Sequence, residues 1–428
     1  MSDTFDHKCP CCGATLQFDA GSQMVKCPYC DSEFDVSTTM KNEGDLSVAA
    51  DNVDLASDGG MEWSEKELYG ITEYQCNSCG GNIYSEETTS ATICPYCGNA
   101  VILKGRLSGV LKPDKVMPFK QTKEQAIEGL KKHCGGQRFV PKKFIENNRL
   151  EEIKGLYVPF WVYDADLDAD VTYRCTTVRK WTSGDTEYTE TKYYDVKRSG
   201  QISFDHVPVD GSTKMPDDLM ESIEPFDYDQ AADFTTGYLS GYVADKYDLD
   251  QDQQRPRARQ RMADGAAEQF QTTVNGYDTV SVERSDISAR SSTVNYVLYP
   301  VWLMNTDWNG RKFIFAMNGQ TGKMVGNLPA DMLKLGGATA GIFALVFAIF
   351  FGIMFLSSEG DFFSGLIMGL IFGGIAAAIF YSHFKSKLKS VEFQHGARNY
   401  YRGGSMKIER QSDTFLYKRT TSRRINNN

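Results

Sequence analysis

Along most of the chain apolar and polar residues are interleaved, but near the C-terminal end they separate. Residues 335–356 (LGGATAGIFALVFAIFFGIMFL) carry no charged side chain, and residues 362–381 (FFSGLIMGLIFGGIAAAIFY) repeat the pattern after a short break holding Glu359 and Asp361. About 20 residues at about 1.5 Å each cross the roughly 30 Å hydrocarbon core of a bilayer. A core helix of that length normally keeps a polar face, and neither segment has one. The pattern predicts a two-helix transmembrane hairpin surrounded by membrane lipid. Gly365, Gly369 and Gly373 on one helix, and Ala340, Ala344, Ala348 and Gly352 on the other, recur every four residues. Such ridges of small residues predict that the two helices pack closely on each other.

Upstream, shorter periods appear. Leu167, Ala169, Val171, Tyr173 and Cys175 alternate with Asp166, Asp168, Asp170, Thr172 and Arg174, which predicts a half-buried strand. A second β-rich block runs over 294–326, with turn chemistry at Trp308-Asn309-Gly310 and Asn318-Gly-Gln-Thr-Gly322. Thr122 and Gln125 form a capping-box pattern ahead of Ala126, Ile127 and Leu130, and Gly135-Gly136 ends that helix. Residues 230–272 read as helical, and Pro159-Phe-Trp161 is echoed by Pro300-Val-Trp302, a hint of pseudo-symmetry. Together these predict one α+β domain over 104–332. Residues 37–62 are polar and acidic with few large apolar side chains, so 37–72 is expected to be a flexible acidic linker.

Cysteine spacing supplies the most specific chemistry. Of the 11 cysteines, Cys9, Cys12, Cys27 and Cys30 reappear 67 residues later as Cys76, Cys79, Cys94 and Cys97, each set reading C-x2-C-x14-C-x2-C. Two such knuckles on facing hairpins bring four thiolates to one point, the donor set of a closed tetrahedral zinc site. Gly13, Gly80 and Gly98 follow the second cysteine of three knuckles, where the turn favours positive φ, and Asp31 stands at the fourth. This register leaves Cys11 a bystander, as are Cys134 and Cys175. The expectation is two zinc ribbons, 5–36 and 73–103, each holding one structural ion. Cys-Pro-Tyr-Cys, present in both copies, is also a thiol-redox motif, and a thiol redox protein is the rival reading. That rival needs a helix after the motif, whereas 31–36 and 98–103 read as strands. Closely paired free thiols and the lack of a signal-peptide pattern at the start favour a reducing compartment.

Charge refines the picture. The net charge of −10 conceals an acidic stretch, 1–334, and a basic one, 382–428, holding 11 Lys and Arg against 3 acids. Lys334 precedes the first span and Lys385, Lys387 and Lys389 follow the second. The positive-inside rule therefore places both termini in the cytoplasm, with 382–428 a basic cytoplasmic tail near lipid headgroups, in which Tyr400-Tyr401 and Phe415-Leu416-Tyr417 suggest short strands. Acidic ribbons argue against nucleic-acid binding, though a membrane-tethered nucleic-acid-binding protein is the alternative from another class. No catalytic constellation is found: His7, His133, His206, His383 and His395 are scattered, without a metalloprotease, nucleophile-elbow or phosphate-loop motif. Asp164, Asp166, Asp168 and Asp170 mimic the start of a calcium loop, but Ala169 and Cys175 stand where its Gly and Glu belong, so a solvated strand face is expected.

The segments KCPCCGATLQFD…VKCPYC and YQCNSCGGNI…ICPYCG resemble the TFIIB-type zinc ribbons at the N-terminus of a bacterial membrane-protein family. The likeness extends to Tyr157–Tyr163, Tyr299–Trp302, Phe315–Gly322 and Leu328-Pro329. Members are often encoded beside phage-shock-protein-A-like and SPFH-domain proteins. The resemblance implies an inner-membrane platform that recruits such partners during envelope stress. The expected fold is multidomain α+β: two small zinc ribbons, a β-rich α+β cytoplasmic domain (104–332), and a transmembrane hairpin (335–356 and 362–381). The expected role is a non-enzymatic scaffold for protein–protein interaction.

Overall fold

The computed structural model describes Cys9 and residues 17–19, 24–27, 29–30, 32–34, 55–86, 93–135, 137–147, 153–356, 362–391 and 396–425. Cys11, Cys12, Gly13, Asp31 and linker positions 37–54 lie outside these residues. Strands β1 (Gln17–Asp19), β2 (Met24–Lys26) and β3 (Glu33–Phe34) form a small antiparallel sheet in the first ribbon. The end of the expected linker is folded. Leu55 is buried, the Gly59 N–H donates to Gln251 Oε1 at 3.0 Å, and Ser64 with Glu67 closes a capping box on helix α1 (Glu65–Tyr69). A few anchors in a polar stretch suffice here, because the surface they bury belongs to the domain. In the second ribbon β4 (Ile71–Cys76) lies between β5 (Asn82–Glu86) and β6 (Val101–Arg106), so the ribbon extends beyond 73–103 at both ends.

The domain is built twice on one plan. Strand β7 (Lys115–Val116) leads to helices α2 (Lys123–Cys134) and α3 (Lys142–Asn147), then to the long strand β8 (Lys154–Ser183) and its return β9 (Thr186–Asp210). After α4 (Asp217–Ile223) and β10 (Ala232–Asp233), strand β11 (Val243–Asp245) leads to α5 (Gln251–Gln271), the long strand β12 (Thr279–Trp308) and its return β13 (Arg311–Asn318). β8 and β12 pair antiparallel with Pro159 opposite Leu298 and Pro300 opposite Tyr157, so the repeated Pro-x-Trp marks a local twofold. Around it the details recur. β7 runs parallel to β12, and β11 parallel to β8. Thr122 and Asp250 each cap a helix with a glutamine three residues on. Trp302 Nε1 donates to the Gln121 carbonyl and Trp161 Nε1 to the Leu249 carbonyl, both at 2.9 Å and both just before the N-cap. Each tryptophan thus ties a helix start to the centre of the sheet. Only 251–271 of the expected 230–272 helix is α-helical; Tyr228–Gln230 and Thr236–Leu239 are 3-10 turns between short strands.

The expected alternation at 167–175 holds, inside a strand of 30 residues. Residues 156–163 are buried on both faces, which erases any two-residue period there. Helix α5 covers one face, where Tyr173 donates to the Ala267 carbonyl at 2.5 Å and Ser285 to the Ala263 carbonyl at 2.7 Å. The aspartates line the open face as expected. Asp166 accepts from Ser203 and Ser291 and pairs with Arg402, and Arg290 lies 3.4 Å from Asp168. Asn309 and Gly310, both at positive φ, make the two-residue turn between β12 and β13, and β14 (Met324–Val325) follows the Gly322 turn.

Helices α6 (Met332–Leu356) and α7 (Phe362–Lys387) are long and apolar enough to cross a membrane, and both extend beyond the expected spans. The most apolar window of α6 is 0% buried and that of α7 17%, so neither is a core helix. Gly365, Gly369 and Gly373 receive Phe351, Phe347 and Phe343 of α6; a Cβ on Gly369 would sit 2.8 Å from the Phe347 ring. The alanine ridge of α6 does not share this seam, since Ala340, Ala344 and Ala348 face outward. Large rings on one helix need glycine opposite them, so a single small-residue ridge fills the contact. The stretch 382–428 is not a free tail. It returns through Tyr400 to strand β15 (Lys407–Arg424), which pairs along β9. The short strand suggested by Phe415-Leu416-Tyr417 is the middle of an 18-residue strand, whose charged, exposed flanks are held by the neighbouring β9.

Candidate metal centres

In the second ribbon each knuckle is shaped by its own backbone. The Cys76 N–H donates to the Gly81 carbonyl at 2.9 Å and the Gly80 N–H to the Cys76 carbonyl at 2.8 Å. The same two bonds recur from Cys94 to Asn99 and from Gly98 to Cys94, at 2.7 and 3.0 Å. Gly80 and Gly98 hold φ of 72° and 73°, the left-handed turn expected after each knuckle. The turns aim Cys76, Cys79, Cys94 and Cys97 at one point, with all four Sγ atoms within 4.8 Å of one another. Cys76 and Cys97 are 3.5 Å apart and Cys79 and Cys94 3.6 Å. Disulfides would need about 2.05 Å, whereas four sulfurs about 2.3 Å from a central zinc would stand about 3.8 Å apart. The residues therefore fit a closed four-thiolate site, one with no position left for substrate.

Electrostatics favours a cation there. Burial works against the Cys76 thiolate, yet the N–H groups of Cys79 and Ser78, together with the thiols of Cys97 and Cys79, outweigh it and bring that thiol down to about 7. Burial pushes the Cys79 and Cys94 thiols up, and the sulfur of Cys79 adds to the rise at Cys94. Such close sulfurs cannot all ionise beside one another unless a positive charge lies between them.

The first ribbon shows the same arrangement in the described residues. Cys9, Cys27 and Cys30 are mutually within 4.8 Å, Cys9 and Cys30 are 3.7 Å apart, and the Cys27 N–H donates to the Ser32 carbonyl at 2.9 Å. Cys12, the expected fourth ligand, lies outside the described residues. Both Cys-Pro-Tyr-Cys segments lead into strands, β3 and β6, and not into the helix a thioredoxin-like redox motif would need. Cys134 and Cys175 are buried, and burial pushes the Cys134 thiol up to about 11.

Several residues that seat the ribbons had no signal in the cysteine spacing. β5 pairs antiparallel with β11, joining the second ribbon to the main sheet. Buried Glu73 of β4 pairs with Lys246 at 3.2 Å and with Lys104 at 3.0 Å. Asn305 donates to the carbonyls of Pro95 and Tyr96 at 2.7 and 2.6 Å, while the Tyr96 hydroxyl faces Asp245 and Ser212. The tyrosine of the second Cys-Pro-Tyr-Cys is thus a docking residue. The first ribbon sits elsewhere on the same sheet: β3 pairs with β15 at Tyr417 and Lys418, Lys418 lies 3.0 Å from Glu33, and Tyr417 packs on the cysteine cluster. His133 lies in the last turn of α2 with Nε2 2.8 Å from the Gly326 carbonyl, a structural contact.

Over 336 residues the chain is 35% identical to the uncharacterized protein YdjG of Bacillus subtilis (strain 168), covering 78% of this chain and 93% of that protein. No family profile matches the sequence, and no solved structure matches it.

Proposed function

The chain belongs to the family of YdjG, and from its cysteine clusters and two apolar helices we propose that it is a membrane-anchored zinc-ribbon scaffold. It recruits cytoplasmic proteins to the inner membrane and performs no catalysis. The observation that carries this reading is the continuity of one sheet with both metal-ligand clusters and with the base of the hairpin. Zinc in each cluster fixes its knuckles, and the ribbons present a rigid surface. Both ends of the hairpin return to one folded body, as the Leu328 N–H bond to the Leu388 carbonyl at 2.9 Å illustrates. This supports a hairpin with both ends on one side of the bilayer; the flanking lysines and free thiols favour the cytoplasmic side. The resemblance to ribbon-bearing membrane proteins favours SPFH-domain or phage-shock-protein-A-like partners.

Affinity capture of the full chain from native membranes tests this. A protein of one of those two classes should co-purify and be lost when Cys94→Ser and Cys97→Ser open the second cluster. Salt-sensitive enrichment of nucleic acid in its place would overturn the scaffold reading. A reporter joined after Asn428 should behave as cytoplasmic.

A further inference from the structure

We infer that copies of this chain associate edge to edge, β15 of one pairing antiparallel with β12 of the next to continue the sheet. Both outer strands carry bare edges among the described residues. On its outer side β12 is paired only over 297–308, by β7 and β13, and β15 is paired only at Tyr417 and Lys418, by β3. Ala56 and Gly59 lie against Ser292 and Val294, so the segments 279–291 and 407–416 present unpaired backbone groups, which natural sheets normally cover. They also lie level. Lys407 is opposite Gln201, Gln201 opposite Asp168, and Asp168 opposite Ser288, one row across all four strands.

Direction and chemistry fit as well. β12 and β15 run in opposite senses, being separated by two antiparallel strands, so a neighbour placed in the same orientation meets β15 antiparallel. With Lys407 opposite Asp286 of the next copy, Glu409 falls opposite Arg284 and Arg410 opposite Glu283, three pairs of opposite charge. Farther along, Gln411 meets Val282, Ser412 meets Ser281 and Thr414 meets Thr279. Within the segments 407–414 and 279–286 each strand carries one register shift, between Ile408 and Arg410 and between Val282 and Arg284, and in this alignment the two shifts fall at the same level. Alternation stays in step on both sides of them. Ile408 and Ser285 share the helix-covered face, whereas Arg410 and Asp286 share the open face, where they engage Asp170 and Arg284.

The membrane selects this arrangement. Head-to-tail repetition keeps every hairpin on the same side of the sheet and in one bilayer, whereas antiparallel pairing of β15 with its own copy would turn one chain upside down. Only this last step rests on the membrane-anchored reading.

The test uses the full chain in its membrane. Differently tagged Ser412→Cys and Ser281→Cys copies are co-expressed and mildly oxidised. A disulfide joining the two tags is expected, absent from the parent and from either variant alone. Within one chain the two positions are three strand spacings apart, about 14 Å, beyond disulfide reach. Arg410→Glu should lower the mixed disulfide about fivefold, consistent with replacing an attractive cross-strand pair by a repulsive one, and Glu283→Arg on the other copy should restore it. Absence of the mixed disulfide, whatever the mass of the particle, or a Ser412→Cys disulfide with itself, overturns the inference. Neither result depends on partner capture, so the scaffold reading would stand or fall separately.

Discussion

Arg261 on α5 offers the sharpest test of how the segment after the hairpin is held. Its side chain and that of Glu224 are each 1% exposed, and the pair is bidentate at 3.0 and 2.6 Å. The guanidinium also donates to the Pro208 carbonyl, and Tyr400, on the returning segment, donates to Glu224 Oε2 at 2.8 Å. Burial alone would make Arg261 easier to deprotonate, but the Glu224 carboxylate reverses that and holds it charged. Arg261→Met leaves the buried Glu224 carboxylate without its paired guanidinium, which costs about 3–5 kcal/mol. Adding Glu224→Gln removes the orphaned charge and should recover most of that loss, since Tyr400 can still donate to the amide oxygen. Tyr400→Phe alone should cost about 1.5–3 kcal/mol, the range for a hydrogen bond to a charged group. Urea unfolding of the full chain in detergent, followed by tryptophan fluorescence, reads these differences as midpoint shifts. Trp161 and Trp302 sit in the sheet and report on the domain. Proteolysis around 396–404 should quicken in the same order. If Arg261→Met costs under about 1 kcal/mol, or if Glu224→Gln brings no recovery, the buried pair is not what fastens Tyr400.

Metal analysis of the purified full chain should give about two zinc ions per chain, and Cys94→Ser with Cys97→Ser about one; values near zero in the parent would remove the ribbons. Asp245→Asn tests the ribbon junction through pH. Burial holds the folded Asp245 up to about 7 against the pull of the Ser212 and Tyr96 hydroxyls. The folded state therefore keeps a proton that the unfolded state releases near 4, and stability falls as pH rises from about 4 to about 7. The variant should gain on the parent across that window and be the more stable at pH 8; equal offsets at pH 4 and pH 8 would refute this. A Cβ at Gly369 already meets the Phe347 ring, so Gly369→Leu drives a side chain into it, whereas a Cβ at Gly374 has no neighbour within 4 Å and Gly374→Leu starts into open space. The first should lower the thermal midpoint in detergent and the second leave it nearly unchanged, and equal effects would mean that the hairpin seam lies elsewhere.

Features legible in the sequence were those fixed by local chemistry. Four-thiol spacing, positive-φ glycines, the Thr122 capping box, the Asn309-Gly310 turn and two uniformly apolar segments each follow from a few neighbouring residues. Features set by distant partners were hidden. Phe415-Leu416-Tyr417 suggested only a short strand in a basic tail, because the rest of β15 is almost wholly exposed, and its register with β9 is what extends it over 407–424. Residues 55–72 looked like linker because Leu55 and Ile71 are isolated apolar anchors whose burial depends on the domain. The Pro-x-Trp echo hinted at duplication, but the matching of Trp161 with Leu249 and of Trp302 with Gln121 needs the third dimension. Tyr96 could be read only as part of a motif; its docking role depends on Asp245 and Asn305, far away in sequence.

The duplication also bears on what a metal ion held by the second cluster would do for this chain. Against β7 the domain uses its own short strand β10, while against the equivalent β11 it uses β5 of the second ribbon. That ribbon therefore fills a position in the main sheet. Free β5 has five residues, and its pairing with β4 is held at one end by the Cys76 knuckle. A structural zinc typically supplies about 10–16 kcal/mol of folding free energy to such small units, far more than a short hairpin gains by itself. Were such an ion removed, the knuckle would open, β5 would lose its support, and β11 would be left as a bare edge beside the buried start of β8. Lys246 would lose Glu73, and Asp245 would lose the hydroxyl of Tyr96. Metal loss would thus be felt in the half of the sheet where the ribbon is docked, and not merely in a detachable finger.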